Sequence, residues 1–281
     1  MGSRFMTASV KFWGVRGSIA CPSSQHLGYG GNTSCVEVMF PDEDKLIFDC
    51  GTGIHNLGAE CLREGSKHVN ILLSHTHWDH INGFPFFAPV FRKDQSMDIH
   101  CGHLIAKGGI ERILADHLDQ PLFPVPLELM GATKNFNDFD AGDADFVVGK
   151  GINVKTAMLN HPAGATGYRV EKGGVSICYV TDTEHRPDKP DDSILGLIEG
   201  ADLVIYDSTY TDAEFPDFVG WGHSTWQEGV RLCQAANVKQ LAIFHHDPAH
   251  LDSFMADVEA EARRVWNGTF VAREQLIVRL D

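Results

Sequence analysis

The feature that most constrains this chain is the run Ile71-Leu72-Leu73-Ser74 followed at once by His75-Thr76-His77-Trp78-Asp79-His80. An apolar strand ends and four potential metal ligands follow within six residues. Side chains alternate along an extended segment, so His75 and His77 point the same way and both imidazoles can reach one ion. The turn that follows swings Asp79 and His80 toward a neighbouring position. Imidazole with carboxylate suits zinc, and also manganese or iron.

More ligand-type residues stand where later apolar runs end. His161 follows Ala157-Met158-Leu159-Asn160, Asp182 follows Cys178-Tyr179-Val180-Thr181, and His245-His246 follows Leu241-Ala242-Ile243-Phe244. Open sheet folds place their sites at the carboxyl ends of strands, so these positions are expected to converge. Together they supply enough imidazole and carboxylate for two ions that share one carboxylate.

The rest of the chain supports such a sheet. Short runs rich in Val, Ile, Leu and Phe predict strands at 11–15, 35–40, 45–49, 69–74 and 97–101 in the first half. In the second half they predict strands at 153–159, 167–171, 175–181, 203–207, 241–244 and 276–280. Helical patterns lie between them at 54–64, 104–118, 194–199, 224–236 and 253–266, the fourth opening on Ser224 as its cap. Strands and helices interleaved in both halves predict two packed sheets with helices outside. The segment 119–146 breaks the rhythm: Pro121, Pro124 and Pro126 exclude an interior strand there, and an insertion loop near the site or a dimer interface is expected. Residues 1–8 read as a tag remnant or disordered start, and 9–281 as a single domain.

The His-x-His-x-Asp-His run, with His161, Asp182 and a late histidine, resembles the metallo-β-lactamase superfamily over nearly the whole chain. The resemblance implies an α/β fold, an αββα sandwich of two mixed sheets. It also implies a site with two divalent metal ions, zinc first and manganese or iron next. His75, His77 and His161 would hold the first metal, Asp79, His80 and His245 the second, and Asp182 would bridge both. His246 is the rival to His245. The turn Asp49-Cys50-Gly51 is similar to the superfamily's early Asp-x-Gly turn, whose aspartate supports a ligand. Gly31-Asn32-Thr33-Ser34-Cys35 and Gly222-His223-Ser224-Thr225 resemble segments of the tRNA 3′-processing endonuclease group, RNase Z. That likeness makes His223 a catalytic or phosphate-contacting residue, Asp207 its partner, and Asp79 the group that orients the attacking water.

Charge bears on the substrate. With 23 Lys and Arg against 38 Asp and Glu, a formal net charge of −15, and no dense basic run, the chain lacks the basic surface that grips a long polyanion. A small anionic substrate held by metal ions is compatible with it. The reading is a two-metal phosphodiesterase acting on small phosphodiesters such as cyclic nucleotides, with RNase Z-like RNA cleavage and lactone or thioester hydrolysis as alternatives. Redox di-iron relatives replace the second motif histidine by a carboxylate, whereas this chain has His77. Arg16 and the loop around Phe123 are expected near the substrate. A homodimer, no membrane association and a cytoplasmic location are expected, and seven scattered cysteines without a C-x-x-C pair read as reduced thiols.

Overall fold

A computed structural model describes residues 7–142 and 144–280. The stretch read as a tag remnant lies outside them except for Thr7 and Ala8, and Ala8 already pairs with Leu280. The first-half strands are β1 (Ala8–Gly14), β2 (Cys35–Met39), β3 (Lys45–Phe48), β4 (His68–Leu73), β5 (Ser96–Cys101) and β6 (Thr133–Asp138). The second half contributes β7 (Asp145–Val148), β8 (Ile152–Leu159), β9 (Ala165–Lys172), β10 (Val175–Val180), β11 (Leu203–Asp207), β12 (Leu241–Phe244), β13 (Thr269–Val271) and β14 (Ile277–Leu280). They form two seven-stranded mixed sheets, ordered β14-β1-β2-β3-β4-β5-β6 and β13-β12-β11-β10-β9-β8-β7. The two-sheet α/β architecture expected from the sequence is therefore present.

Period-2 alternation builds the layers. On β3 and β4, Leu46, Phe48 and Leu72 face the other sheet, while Ile47, Ile71 and Leu73 face helices α1 (Ile54–Glu64) and α3 (Gly109–His117). On β10 and β11, Ile177, Tyr179, Leu203 and Ile205 enter the inter-sheet core. Cys178, Val180, Val204 and Tyr206 point instead to the helical layer of α4 (Asp192–Ile198), α5 (Trp226–Ala235) and α6 (Asp252–Val265). Strands buried on both faces read as continuous apolar runs, as these do. All seven cysteines are free. No helix among the described residues is long and apolar enough to cross a membrane.

Three expectations need correction. Segment 119–146 is not one irregular loop: Thr133–Asp138 pairs parallel to β5 as the edge of the first sheet, and Asp145 opens the edge strand of the second. An edge strand needs only one partner, so Asn135, Asn137 and Asp138 can stay polar and hide the strand from a hydrophobic reading. Within the proline-rich part, Phe123 and Val125 pack on the core beneath the first sheet, and Phe123 meets Phe86 edge-on at 5.8 Å. Thr225, not Ser224, caps α5, its hydroxyl accepting from Glu228 N. Arg16 is fully buried, not at the substrate: Nε and Nη2 donate to Gly30 O at 3.2 and 3.0 Å, and Nη1 donates to Asp247 O and His250 O, each at 2.9 Å. It ties the 16–30 loop to the 247–250 loop, where four hydrogen bonds to three carbonyls occupy four of its five N–H donors.

Candidate metal centre

The parallel strands β3, β4, β10, β11 and β12 end on one edge of the sandwich, and their next residues turn into it. Asp49, Asp182 and His245 sit there at φ of 58°, 58° and 63°, left-handed values that cost non-glycine residues energy. Strain concentrated at three converging polar residues marks a built site. Helix α2 (Trp78–Ile81) is a single turn that carries Asp79 and His80 round to the same edge.

Among the described residues, four overlapping groups of three or four His and Asp side chains converge, and His223 belongs only to two of them; the other two together use every metal ligand named from the sequence. In one, Asp79, His80, Asp182 and His245 converge, all buried. His80 Nε2 lies 3.2 Å from Asp79 Oδ2, 3.2 Å from Asp182 Oδ2 and 3.3 Å from His245 Nε2. His245 Nε2 lies 3.3 Å from Asp79 Oδ2 and 3.4 Å from Asp182 Oδ2. A tetrahedral shell with arms of about 2.0–2.1 Å has edges of about 3.3–3.4 Å, so these spacings fit a small divalent cation. The second set joins His75, His77 and His161. Asp182 Oδ1 faces it, 3.7 Å from His75 Nε2 and 3.8 Å from His161 Nε2, so the two oxygens of one carboxylate face different sets.

Hydrogen bonding from behind fixes which nitrogen each ring presents. His80 Nδ1 donates to Asp49 Oδ2 at 2.7 Å, and His161 Nδ1 donates to Gly222 O at 2.8 Å. The Thr209 hydroxyl spends its hydrogen on Asp207 at 2.7 Å and so accepts from His245 Nδ1 at 3.0 Å. In the neutral rings, all three Nε2 lone pairs then aim inward. His75 Nε2 is buried with no hydrogen-bond partner. Lone pairs facing one another across 3.3 Å, beside an orphaned ring nitrogen, require a cation between them, so the residues present fit divalent metal. Burial opposes charging His80, but Asp182, Asp79 and Asp49 outweigh it and raise its pKa well above the ordinary value. Burial disfavours the charged form of Asp182 too, yet the surrounding imidazoles hold its carboxyl well below the usual range. His75, His77 and His161 are lowered, chiefly by burial, which leaves them neutral and able to ligate.

His223 lies beside both sets, its Nδ1 donating to Asp207 Oδ2 at 2.9 Å and standing 3.8 Å from Asp182 Oδ1. Burial would lower its pKa, but Asp207 above all, with Asp182 and Asp79, pushes it up to about 9. The cleft above the cluster has a volume of about 430 Å³ and is lined by Ser18, Thr76, His77, Trp78, Asp79, Asp182 and His223.

The metal ligands and catalytic residues named from the sequence converge here, unlike Arg16, and His245 rather than His246 faces the cluster: His246 Nε2 donates to Ala272 O inside the core. The supporting groups were mostly missed. Asp49 also accepts from Ser74 N, Ser74 Oγ and Tyr179 Oη, Thr181 Oγ1 donates to Asp182, and the Ser18 amide donates to Asp79 Oδ2 at 2.8 Å. Ser74 and Thr181 each directly precede a named site residue at a strand end, a signal that was available. Ser18 carried none. Asn32-Thr33-Ser34 braces the Asp49 turn from below: Thr33 N donates to Thr52 Oγ1, Thr52 N to Thr33 Oγ1, and Gly51 N to Ser34 O.

A family model described as the Beta-lactamase superfamily domain matches residues 45–246, which hold the whole ligand set. The chain belongs to the metallo-β-lactamase superfamily. It is a hydrolase of that family. It is similar to proteins named Ribonuclease Z from Parabacteroides distasonis (24% identical, 91% of this chain and 94% of that one) and Synechococcus sp. CC9311 (24%, 90% and 94%). Among solved structures, the metallo-β-lactamase fold protein YhfI from Bacillus subtilis matches with a TM-score of 0.73 at 19% identity over 97% of this chain and 98% of its own. A diphosphatase of the PhnP family matches at 0.71 (18%, 98% and 98%), and the short form of human tRNase Z at 0.65 (18%, 97% and 99%). These structural likenesses extend the fold match over nearly the full chain.

Proposed function

We propose that this chain is a two-metal phosphodiesterase of small phosphodiesters, cyclic nucleotides being the best candidates. The observation that carries the reading is the His223–Asp207 pair beside a carboxylate whose oxygens face two separate ligand sets. His75, His77 and His161 would hold one divalent cation, Asp79, His80 and His245 the other, and Asp182 both, with zinc the metal that the imidazole-rich, tetrahedral spacing suits best. Bound there, the cations would supply Lewis acidity and an activated water.

The protein's own groups do the rest. Asp79, pinned by the Ser18 amide, orients the attacking water in line with phosphorus. His223, fixed by Asp207, presents its other nitrogen to the phosphoryl oxygens and then gives a proton to the leaving alkoxide. The cations would offset part of the carboxylates' pull on His223 and bring its pKa down toward a range suited to an acid. The Trp78 indole, 75% exposed on the cleft wall, offers a flat face on which a nucleobase can stack. A small diester also suits the net charge of −15, which disfavours a long polyanion.

The second reading is RNase Z-like cleavage of RNA, favoured by the names of the curated relatives. Metal-replete protein assayed against cyclic nucleotides, bis(p-nitrophenyl) phosphate, lactones, thioesters and a tRNA precursor decides between them. Turnover of cyclic nucleotides above the acyl substrates and the RNA is expected, and efficient cleavage of the precursor alone would replace our reading by the second.

Metal removal gives a direct check. Elemental analysis should find about two ions per chain, and chelation should abolish hydrolysis. Because ligands bind only the folded state, each site filled at 100 times its Kd adds about 2.7 kcal/mol. For a chain of this size that amounts to about 5 °C of melting temperature per site. One ion, or none, after metal-replete purification would refute the two-metal assignment.

A further inference from the structure

We infer that Glu184 is a positioning residue that sets His161 and His223 together through one carboxylate; the inference rests on the roles proposed above for those two histidines. Its neighbours already show how the segment works. Asp182 faces both ligand sets, and the Thr183 amide donates to Asp207 Oδ2 at 3.1 Å. The His185 ring contacts Ser224 Oγ at 2.8 Å and stacks on Phe215 at 4.1 Å. Within this strap, Glu184 contacts both the His161 loop and the turn before His223.

The Glu184 backbone pairs with the His161 loop in both directions: its amide donates to Asn160 O at 2.8 Å, and its carbonyl accepts from Asn160 Nδ2 at 2.8 Å. Its side chain turns the other way. Oε2 accepts from Gly220 N at 2.7 Å and from Gly222 N at 2.9 Å. Both glycines have positive φ, 91° and 86°, in the turn that leads into His223. That turn closes directly on His161: a Cβ on Gly222 would lie 2.3 Å from His161 Nδ1, and Gly222 O is the acceptor that fixes the ring's tautomer.

One anionic oxygen thus gathers two amides of a turn that has little stiffness of its own, since glycine pays the most entropy on being fixed. The same turn presents a carbonyl to a ligand histidine on one side and the acid histidine on the other. Losing the carboxylate would let the turn relax, blurring the aim of His161 Nε2 and the placement of His223 at once. Groups that hold metal ligands from behind typically change metal affinity about 10–100-fold when lost.

The test uses full-length protein, zinc alone, and the variants Glu184→Ala and Glu184→Gln. A glutamine oxygen can still accept from both amides, so Gln should recover most of what Ala loses. In Glu184→Ala one zinc ion should bind about 10–100-fold more weakly in competition with a chromophoric chelator, while the other is held nearly as in wild type. Turnover of diesters with alkoxide leaving groups should fall more than turnover of bis(p-nitrophenyl) phosphate, whose leaving group needs no acid. Two ions bound with unchanged affinity in Glu184→Ala, or Gln and Ala behaving alike, would overturn the inference. If Glu184→Ala fails to fold, the glutamine variant decides: both zinc ions held with wild-type affinity and an unchanged leaving-group preference support the role, and a loss as large as that expected of Ala refutes it. Wild-type protein that binds two zinc ions yet hydrolyses no diester would sink the proposed function while leaving the zinc-affinity arm intact.

Discussion

Asp182→Ala is expected to lower metal content from about two ions per chain to one or none and to cut diester hydrolysis by at least the order of 1,000-fold. Asp182 is 1% exposed and turns one carboxylate oxygen to each ligand set. Its removal takes the shared anion from each and leaves the set of His75, His77 and His161 with three neutral imidazoles only. Losing a single preorganised charge-stabilising group can already cost about 100–1,000-fold, and here the cations go with it. The metal-free variant should still fold, because buried imidazoles tolerate neutrality and one buried carboxylate fewer needs solvating. Alanine at φ 58° adds a cost of about 1–2 kcal/mol, so the melting curve should shift without losing cooperativity. Asp182→Asn keeps one carbonyl oxygen and should retain more metal than the alanine variant. Elemental analysis with kinetics on one preparation checks the prediction, and two ions with near-normal turnover in Asp182→Ala would remove the bridging role.

The ligand residues were legible because a sheet site obeys a simple rule. A strand must end before its side chains can converge at an edge, and chemistry-bearing residues within two positions of an apolar run announce it: His75 after Leu73, Asp182 after Val180, His245 after Phe244. The layers were legible for a related reason, since continuous apolar runs such as Ile71–Leu73 and Leu203–Ile205 can only be covered on both faces. What escaped reading falls into two kinds. Edge strand β6 is mostly exposed, so neither composition nor alternation signals it, and β13, though buried, is only three residues long, too short to show a period. The groups behind the ligands act through backbone atoms or from far along the chain: the Ser18 amide on Asp79, the Gly222 carbonyl on His161, Tyr179 on Asp49. Any residue can supply a backbone amide or carbonyl, and a pairing over 130 positions depends on the fold rather than on local pattern. Arg16 was misread for the complementary reason. A cation near a cleft-forming loop looks like a substrate contact until its three carbonyl partners are seen.

His223→Ala should reduce hydrolysis of alkyl phosphodiesters by about 100–1,000-fold while leaving both ions bound. The metal sets do not need it: His75, His77 and His161 form one, and Asp79, His80, Asp182 and His245 the other. What it offers is position. Nδ1 is committed to Asp207 at 2.9 Å, so the ring is held with its second nitrogen free for substrate, and it lines the cleft beside Asp79 and Asp182. In-line displacement at phosphorus builds charge on the equatorial oxygens and on the departing alkoxide, and one fixed imidazolium can answer both. A nitrophenolate leaves without a proton, so bis(p-nitrophenyl) phosphate should lose only the share due to the equatorial oxygens. Lactones and thioesters, whose oxyanion the cations can stabilise, should be affected least. Asp207→Asn should follow the same order of substrates with smaller losses, because the amide still accepts from Nδ1 but no longer favours the imidazolium. The discriminating quantity is the ratio of alkyl-diester to nitrophenyl-diester turnover. If it stays constant in His223→Ala and all substrates, acyl ones included, fall by the same small factor, His223 has no role specific to phosphate and the phosphodiesterase reading loses the geometry that carries it.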